Sequence, residues 1–291
     1  MILKYIVKEN TYQSINQILK QEFKISARLQ HKLITSRKIF LNGNQVDSRI
    51  APQINDVITV NLDFNEESEN IIPTQMALNI VYEDEALLIL DKPAGIAVHP
   101  SILHYTDSLA NGVKYYFDSI GLKRKIRPVN RLDLNTSGLI IFAKNEYVQE
   151  CLIQQMQTNE FKKEYLAIVH GIFEKAQGTI NLPIARKENS IIERCISKNG
   201  QEAITYYEVL KTSNDLSLVH CTLQTGRTHQ IRVHMSAIGH PLVGDTLYGF
   251  DFFDSIARQA LHSYKISFIN PITHNQMNFI SNLPDDIKNA F

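Results

Sequence analysis

The chain has 291 residues, of which 44% are hydrophobic and 21% are charged, with a formal net charge of zero. This is ordinary globular composition, and the length allows one large domain plus a small one. A neutral chain excludes nucleic-acid binding through bulk charge, so any such role depends on local basic patches.

The cysteines and the apolar segments bear on the cellular compartment. Cys151, Cys195 and Cys221 are far apart and odd in number, which gives no disulfide framework and fits a reducing compartment. The N-terminus is interrupted by charge too early for a secretory signal, and no stretch is long and apolar enough to cross a bilayer. We therefore expect a cytoplasmic protein with no membrane partner.

Residues 1–61 predict a small α/β module. Residues 2–7 are β-prone, residues 12–22 have the apolar spacing of an amphipathic helix, and Ser26 can cap a second helix. An Asn-Gly pair at 42–43 between short β-prone runs predicts a hairpin, and residues 57–60 predict a further strand.

The second helix of this module is basic, and no acid occurs between Glu22 and Asp47. A cationic helix face suits a module that follows RNA phosphates, but a solvated basic face explains the charges about as often. The order of elements, the Leu-Asn-Gly hairpin and the Ile-Asn-Asp-Val strand resemble the small RNA-binding domain named after ribosomal protein S-four. The resemblance implies four RNA contacts: Arg28, Lys32, Arg37 and Lys38.

The rest of the chain predicts a linker and one large domain. Residues 62–76 are polar and acidic without apolar periodicity, as is typical of a linker, and residues 77–291 form the large domain. Helices are predicted after Ser108 and at 146–157. The β-prone runs are 80–82, 87–90, 96–100, 162–169, 191–196, 203–210 and 216–224.

One acid, Asp133, lies in the basic stretch 127–144. Nearby cations favour the charged form of a carboxylate. Residues 134–138 predict a turn and 139–143 a strand buried on both faces, so Asp133 is expected on a loop held by the core, where catalytic groups are often placed. On this stretch alone, a carboxylate that caps its own backbone is an equally good explanation.

A second stretch, 225–234, contains two arginines, two histidines and a glutamine but no acid. Thr228 can cap a helix that ends near Gly239, and such a helix start suits anionic groups. A zinc site is the alternative, but His229 and His234 are five residues apart, roughly 140° around a helix, whereas ligands on one face need a spacing of four. We expect no metal.

The absence of a second embedded carboxylate narrows the chemistry further. Glycosidases use two acids that flank the scissile bond, and metal-dependent nucleases cluster acids around Mg²⁺. Neither pattern surrounds Asp133. One carboxylate among arginines suits a nucleophile that acts on a bound base or sugar.

Four motifs together resemble the RluA-like family of pseudouridine synthases. The family's His-Arg-Leu-Asp-x-x-Thr-Ser-Gly-Leu is matched at 130–139, with Asn130 in place of His, and Lys-x-Tyr-x-Ala-x-Val-x-Gly at 163–171. Gly-Arg-Thr-His-Gln-Ile-Arg-Val-His occurs at 226–234 and Gly-His-Pro-Leu-x-Gly-Asp at 239–245. The resemblance implies an α+β fold with a large, mainly antiparallel sheet flanked by helices, here preceded by the small α/β RNA-binding module.

The resemblance also implies the activity and its residues. The family isomerises uridine in RNA to pseudouridine, with Asp133 as nucleophile, Arg227 as its ionic partner and Tyr165 against the uracil ring. Without the motif, Tyr165 reads as an ordinary core residue. Whether Asp133 attacks the sugar, attacks the base or removes a sugar proton stays open.

Three further residues are implied to contact RNA. Arg131 enters the space left when the uridine flips out, since a guanidinium can fill such a gap. Arg232 and His229 position phosphate or hold the loop. Asn130 offers a donor and an acceptor, as the usual His does.

The implied enzyme needs neither cofactor nor metal, and a monomer is the default expectation. Its substrate is RNA, with large-subunit (23S) ribosomal RNA favoured because members with this appended module often act there, and with transfer RNA as the alternative. A catalytically silent RNA-binding or ribosome-assembly factor is a second hypothesis. A base-excising hydrolase is a third, and it would release free uracil.

Overall fold

The computed structural model describes residues 1–9, 11–249 and 256–291. Fifteen strands and six helices are assigned within these ranges. In chain order they are β1 (Ile2–Ile6), α1 (Ile15–Gln21), α2 (Ala27–Thr35), β2 (Ile39–Leu41), β3 (Asn44–Gln45), β4 (Val57–Asn61), β5 (Ile80–Glu83), β6 (Leu87–Lys92), α3 (Leu109–Ser119), β7 (Ser137–Ala143), α4 (Glu146–Gln157), β8 (Lys162–His170), β9 (Gln177–Asn181), β10 (Ile184–Arg186), β11 (Arg194–Ile196), β12 (Ile204–Ser213), β13 (Leu216–Leu223), α5 (Gln230–Ala237), β14 (Leu261–Ile269), β15 (Gln276–Ile280) and α6 (Asp285–Lys288).

A nine-stranded sheet dominates the structure. Its strand order is β5-β6-β7-β14-β8-β13-β12-β9, with β15 paired to β14 outside this path. The β7–β14 pair is parallel and the other pairs are antiparallel. The predicted fold class, with its large and mainly antiparallel sheet, is therefore confirmed.

The central strand β7 separates two apolar layers. All seven of its residues are buried, which confirms the predicted strand covered on both faces. Because side chains alternate along a strand, Leu139 and Ile141 pack on the side of α4, whereas Ile140 and Phe142 pack on the side of α3. α4 has the predicted bounds of 146–157.

The N-terminal 61 residues form a separate antiparallel sheet, in the order β1-β4-β2-β3, together with α1 and α2. Ser26 caps α2 as predicted, since its hydroxyl accepts a hydrogen bond from the Leu29 amide. Asn42 and Gly43 turn the β2–β3 hairpin with φ values of 50° and 84°. Positive φ at both positions is what a tight hairpin turn requires and explains why Asn-Gly occurs there.

The N-terminal sheet packs against the large sheet through α4. Met1 and Leu3 lie in the same apolar cluster as Tyr147 and Leu152 of α4. Segment 62–76 contains no helix or strand, yet it is held in place by Glu66, whose carboxylate lies 2.6 Å from the Lys32 Nζ and 2.8 Å from the Arg127 guanidinium.

One predicted strand, at 96–100, was wrong. Its carbonyls are already used: Ile96 O accepts from the Lys92 ammonium, and Ala97 O and Val98 O accept from the first amides of α3. A carbonyl committed to a lysine or a helix start is not available for a strand ladder. In the part of the chain that the structure covers, no helix is long and apolar enough to span a membrane.

Replacing Glu66 with Gln should destabilise the contact between the two sheets. The Glu66 side chain is 8% exposed, and its loss of charge would leave Lys32 and Arg127 close together without their shared anion. We expect Glu66→Gln to lower the free energy of unfolding by about 2–3 kcal/mol. Denaturant unfolding at pH 7 measures this, with Glu67→Gln at an exposed neighbour as the matched control.

The same variant predicts a pH dependence. Burial alone would raise the pKa of Glu66, but hydrogen bonds from Arg127 and Lys32 lower this pKa below its ordinary value. A carboxyl whose pKa is lower in the folded state stabilises the protein above its unfolded-state pKa and loses that effect as the pH falls. The difference in unfolding free energy between the wild type and Glu66→Gln should therefore become smaller as the pH falls into the acid range. A difference that is absent at pH 7 would contradict this role of Glu66.

Candidate active site

The predicted site residues of the large domain line a single cleft of about 590 Å³. Three segments form most of its wall: the loop before β7, the start of β8 and the turn before α5. The structure therefore brings together the motifs that the sequence keeps far apart. The predicted residues that line the cleft are Arg131, Asp133, Tyr165, Arg227, His229 and Arg232.

The loop that carries Asp133 is tied to β7 by Asn130. The buried Asn130 amide accepts a hydrogen bond from the Ile141 amide at 2.9 Å and donates one to Leu139 O at 3.3 Å. The Asn130 side chain thus makes hydrogen bonds to β7 of the kind that a neighbouring strand would make. Asn130 is the residue that departs from the family motif, and its role in this structure is to hold the loop.

The Asp133 carboxylate faces α5. Its Oδ2 lies 3.4 Å from Arg232 Nη1, and its Oδ1 lies 3.9 Å from His229 Nε2. An Asx-turn would require a hydrogen bond between this carboxylate and the nearby backbone. Within the described ranges the Asp133 carboxylate makes no such bond.

The expected ion pair between Asp133 and Arg227 is not the one observed. Arg227 lies on the exposed turn before α5, and its Nε donates to Glu202 O at 2.8 Å. Arg232 lies in the first turns of α5, from where its guanidinium reaches the carboxylate.

Arg232 is itself held by a residue that was not among the predicted site residues. Its Nε and Nη2 donate to the two carboxylate oxygens of Asp245 at 2.7 and 2.8 Å, and the Asp245 side chain is fully buried. Burial alone would lower the pKa of Arg232, but Asp245 raises it, so Arg232 stays charged. The sequence did contain a signal for a role of Asp245, because this residue ends the Gly-His-Pro-Leu-x-Gly-Asp motif.

His229 connects the same network to Tyr248. Its Nδ1 lies 2.8 Å from the Tyr248 hydroxyl, which also accepts from the Arg194 amide. Burial lowers the pKa of His229, which favours the neutral ring. If the Tyr248 hydroxyl donates to Nδ1, the Nε2 proton faces Asp133.

His229 also begins the helix. The N-cap of α5 is His229, with a left-handed φ of 58°, and not Thr228 as predicted. The other histidine of the motif, His234, is buried between Thr205 Oγ1 and Leu182 O. In the described ranges no group of three or more His, Cys, Asp or Glu side chains could hold a metal ion.

Tyr165 and Lys163 reach the cleft from one face of β8, two residues apart. Tyr165 is 5% exposed, and burial, together with the negative charge of Asp133, raises the pKa of its hydroxyl. The hydroxyl therefore stays protonated at neutral pH, and the effect of Asp133 on it reflects their proximity.

Lys92 is a second residue that the sequence reasoning missed. It is 1% exposed, and its ammonium donates to Pro93 O, Ile96 O and Leu134 O at 2.8, 2.9 and 3.0 Å. Leu134 follows Asp133 directly, so Lys92 fixes the loop next to Asp133. Burial lowers the pKa of Lys92 to about 7, while the charge of Asp133 and the carbonyl acceptors favour the ammonium.

The four basic residues predicted in the N-terminal module lie outside the cleft lining. Lys32 is committed to Glu66, and Arg28 Nε lies 3.4 Å from a Glu146 oxygen. Lys38 Nζ lies 5.0 Å from the centre of the Phe64 ring. Arg37 is exposed. The structure thus uses part of this basic face for contacts within the chain.

Comparison with known proteins identifies the family. A family model described as RNA pseudouridylate synthase matches residues 86–237. The RNA pseudouridine synthase YjbO of Bacillus subtilis, whose name marks it as uncharacterized, is 39% identical over 85% of this chain and 87% of its own length. The chain belongs to the RNA pseudouridine synthases, as an RluA-like member. It is an isomerase.

Other proteins similar to this synthase support the same family assignment. The ribosomal large subunit pseudouridine synthase D of Blochmanniella floridana is 36% identical over 87% of this chain and 85% of its own length. Among solved structures, human RNA Pseudouridylate Synthase Domain Containing 1 matches with a TM-score of 0.58 and 26% identity over 71% of this chain and 83% of that one.

Replacing Lys92 with Met should weaken the loop that carries Asp133. The substitution leaves buried carbonyls without their donor, so we expect the synthase to lose about 1–3 kcal/mol of unfolding free energy. Denaturant unfolding measures this, with Lys123→Met at an exposed lysine as the control. A Lys92→Met protein as stable as the control would show that the three hydrogen bonds do not hold the loop.

Proposed function

We propose that this synthase isomerises uridine to pseudouridine in large-subunit ribosomal RNA, with Asp133 as the nucleophile and with the target nucleotide flipped into the cleft. The observation that carries the proposal is the Asp133 carboxylate, which faces the cleft beside Arg232 and close to Tyr165. The isomerase activity is that of the family. The nucleophile, the flipping and the RNA target are the parts proposed.

The chemistry requires one bond to break and another to form. The bond from uracil nitrogen one to the sugar is cleaved, the base turns, and carbon five bonds to the same sugar carbon. Carbon five then loses a proton, and nitrogen one carries one in the product. A carboxylate suits the start of this sequence because it can form and release a covalent bond. Arg232 supports that role, because its guanidinium holds the carboxylate in one orientation.

Tyr165 is proposed to lie against the uracil. Its ring offers a stacking face at the floor of the cleft, and its protonated hydroxyl can donate a hydrogen bond there. Arg227 and His229 are proposed to bind the RNA from the rim, since both line the cleft and, among the described residues, no carboxylate lies at hydrogen-bond distance from either.

Arg131 is proposed to fill the gap left by the flipped nucleotide. It is exposed, lines the cleft and lies two residues before Asp133 on the same loop. Extruding a base costs a few kcal/mol of stacking, and the planar guanidinium can replace part of that stacking.

The N-terminal module is proposed to be an S-four-like RNA-binding domain at 1–61, joined through segment 62–76 to a catalytic domain at 77–291. Arg28, Arg37 and Lys38 would contact phosphates from its surface. Lys32 would contribute less, because Glu66 already neutralises it.

The ribosomal target follows from the relatives' names, several of which are ribosomal large subunit pseudouridine synthase D. Transfer RNA is the alternative substrate, and the experiment below examines it separately. A silent binding factor is disfavoured by the Asp133–Arg232–Asp245 network, since a protein that only binds RNA does not need a carboxylate oriented at the cleft.

Pseudouridine mapping tests the proposal. Ribosomal and transfer RNA would be sequenced from cells with the wild-type gene, a deletion, Asp133→Asn and the control Asp118→Asn, which changes an exposed aspartate of α3. We expect the same large-subunit positions to lose pseudouridine in the deletion and in Asp133→Asn, and to keep it in the control. The Asn side chain keeps the shape but is a far weaker nucleophile.

Three other outcomes would contradict parts of the proposal. Loss confined to transfer RNA would replace the ribosomal target. Persistence of every site in Asp133→Asn would remove Asp133 as nucleophile. Free uracil released from RNA by the purified protein would indicate the hydrolase.

A further inference from the structure

The cleft contains a cation that the chemistry described so far does not use. Lys163 lines the cleft and is 9% exposed, yet within the described ranges its Nζ has no hydrogen-bond or ion-pair partner. The Nζ still borders the open cleft, so its charge is solvated there but not neutralised by a carboxylate of the described ranges. Lys92, which is 1% exposed, instead makes three hydrogen bonds to carbonyls. Lys163 therefore has its charge available to an anionic ligand in the cleft.

The turn before α5 lies against this ammonium. A Cβ atom on Gly226 would lie 3.0 Å from Lys163 Nζ, which is tighter than nearly all real Cβ contacts. The Lys163 ammonium therefore lies close to the backbone of this turn. The φ of Gly226 is not among the positive values of the chain, so backbone freedom is not the reason for the glycine.

A second cation lies beside the first. The residue after Gly226 is Arg227, whose positive charge, after burial, lowers the pKa of Lys163. Two like charges in proximity repel unless an anion lies between them. Asp133 does not supply that anion, because its carboxylate is directed at Arg232 and His229. The pair thus forms a positively charged patch within the cleft.

We propose that Lys163 and Arg227 hold a backbone phosphate of the RNA, next to the nucleotide that enters the cleft. The inference rests on the proposed function, since it takes RNA as the occupant of the cleft. Lys163 lies two residues from Tyr165 on one face of β8, about 7 Å away along the strand. A phosphate at Lys163 therefore belongs to the target nucleotide or to its immediate neighbour.

The position of Lys163 connects RNA binding to the stability of the folded protein. Within the described ranges no protein group pairs with the Lys163 ammonium, so its partly buried charge does not stabilise the free protein, whereas a phosphate would pair with it on binding. A residue kept for packing would behave in the opposite way, because its removal would destabilise the protein. The two roles therefore differ in the sign of one measurable quantity.

The test uses the full chain in an Asp133→Asn background, so that the RNA stays unchanged. The probe is an oligouridylate of about ten nucleotides, a length that a single-strand groove can cover. Binding is measured against KCl concentration for the background protein and for it with Lys163→Met or with Lys175→Met. Lys175 is an exposed lysine beyond the far end of β8, and so serves as the matched control.

We expect Lys163→Met to weaken binding by roughly tenfold and to reduce the slope of log affinity against log salt by about 0.7, the value for one contact to single-stranded RNA. Lys175→Met should change neither quantity. The thermal midpoint of Lys163→Met should equal or exceed that of the background protein.

Three results would overturn the inference: a salt slope for Lys163→Met equal to that of the control, a lower thermal midpoint, or no binding of the oligouridylate by the background protein. Failure of the proposed function is recognised separately, from the absence of pseudouridine formation by the wild-type protein. A protein that does not isomerise but shows the expected slope change keeps the phosphate site and loses the function.

Discussion

The site depends on one buried arginine that is shared between two carboxylates. Asp245 takes two of the Arg232 nitrogens at 2.7 and 2.8 Å, which fixes the plane of the guanidinium and directs its third nitrogen at Asp133. Because Asp245 is fully buried and also accepts from the Leu247 and Tyr248 amides, the orientation of Arg232 is set by the fold and not by the substrate. The position of the Asp133 carboxylate follows from it.

The large sheet makes this geometry possible by holding both sides of the cleft on rigid elements. The Asp133 loop is anchored to β7 by Asn130 and to the turn after β6 by Lys92, while α5 supplies Arg232 and His229. The cleft between them contains more cations than carboxylates, and within the described ranges Asp133 is paired whereas Lys163 pairs with no carboxylate. Such an excess of positive charge attracts an anionic ligand, which agrees with RNA as the substrate.

Most of the fold and the members of the site could be predicted from the sequence, because strand alternation, helix caps and contiguous motifs are local signals. Asp133, Tyr165 and α5 were found in this way. The ion-pair partner of Asp133 was not predicted correctly. Whether Arg232 or Arg227 reaches the carboxylate depends on the direction of the first turn of α5. Lys92 and Asp245 were missed as site residues because their roles come from contacts with Leu134 and Arg232, which lie far away or beyond a turn in the chain.

The most direct test of this account is the single-turnover rate of pseudouridine formation by Arg232→Lys on transcribed large-subunit RNA. Lysine keeps the charge but cannot hold Asp245 and Asp133 in one plane. The account predicts a rate lower by about 100-fold with RNA affinity unchanged, whereas Arg49→Lys, at an exposed arginine paired with Asp47, should have no effect. A retained rate, or a loss confined to RNA affinity, would contradict the claim that Arg232 positions the Asp133 carboxylate for the reaction.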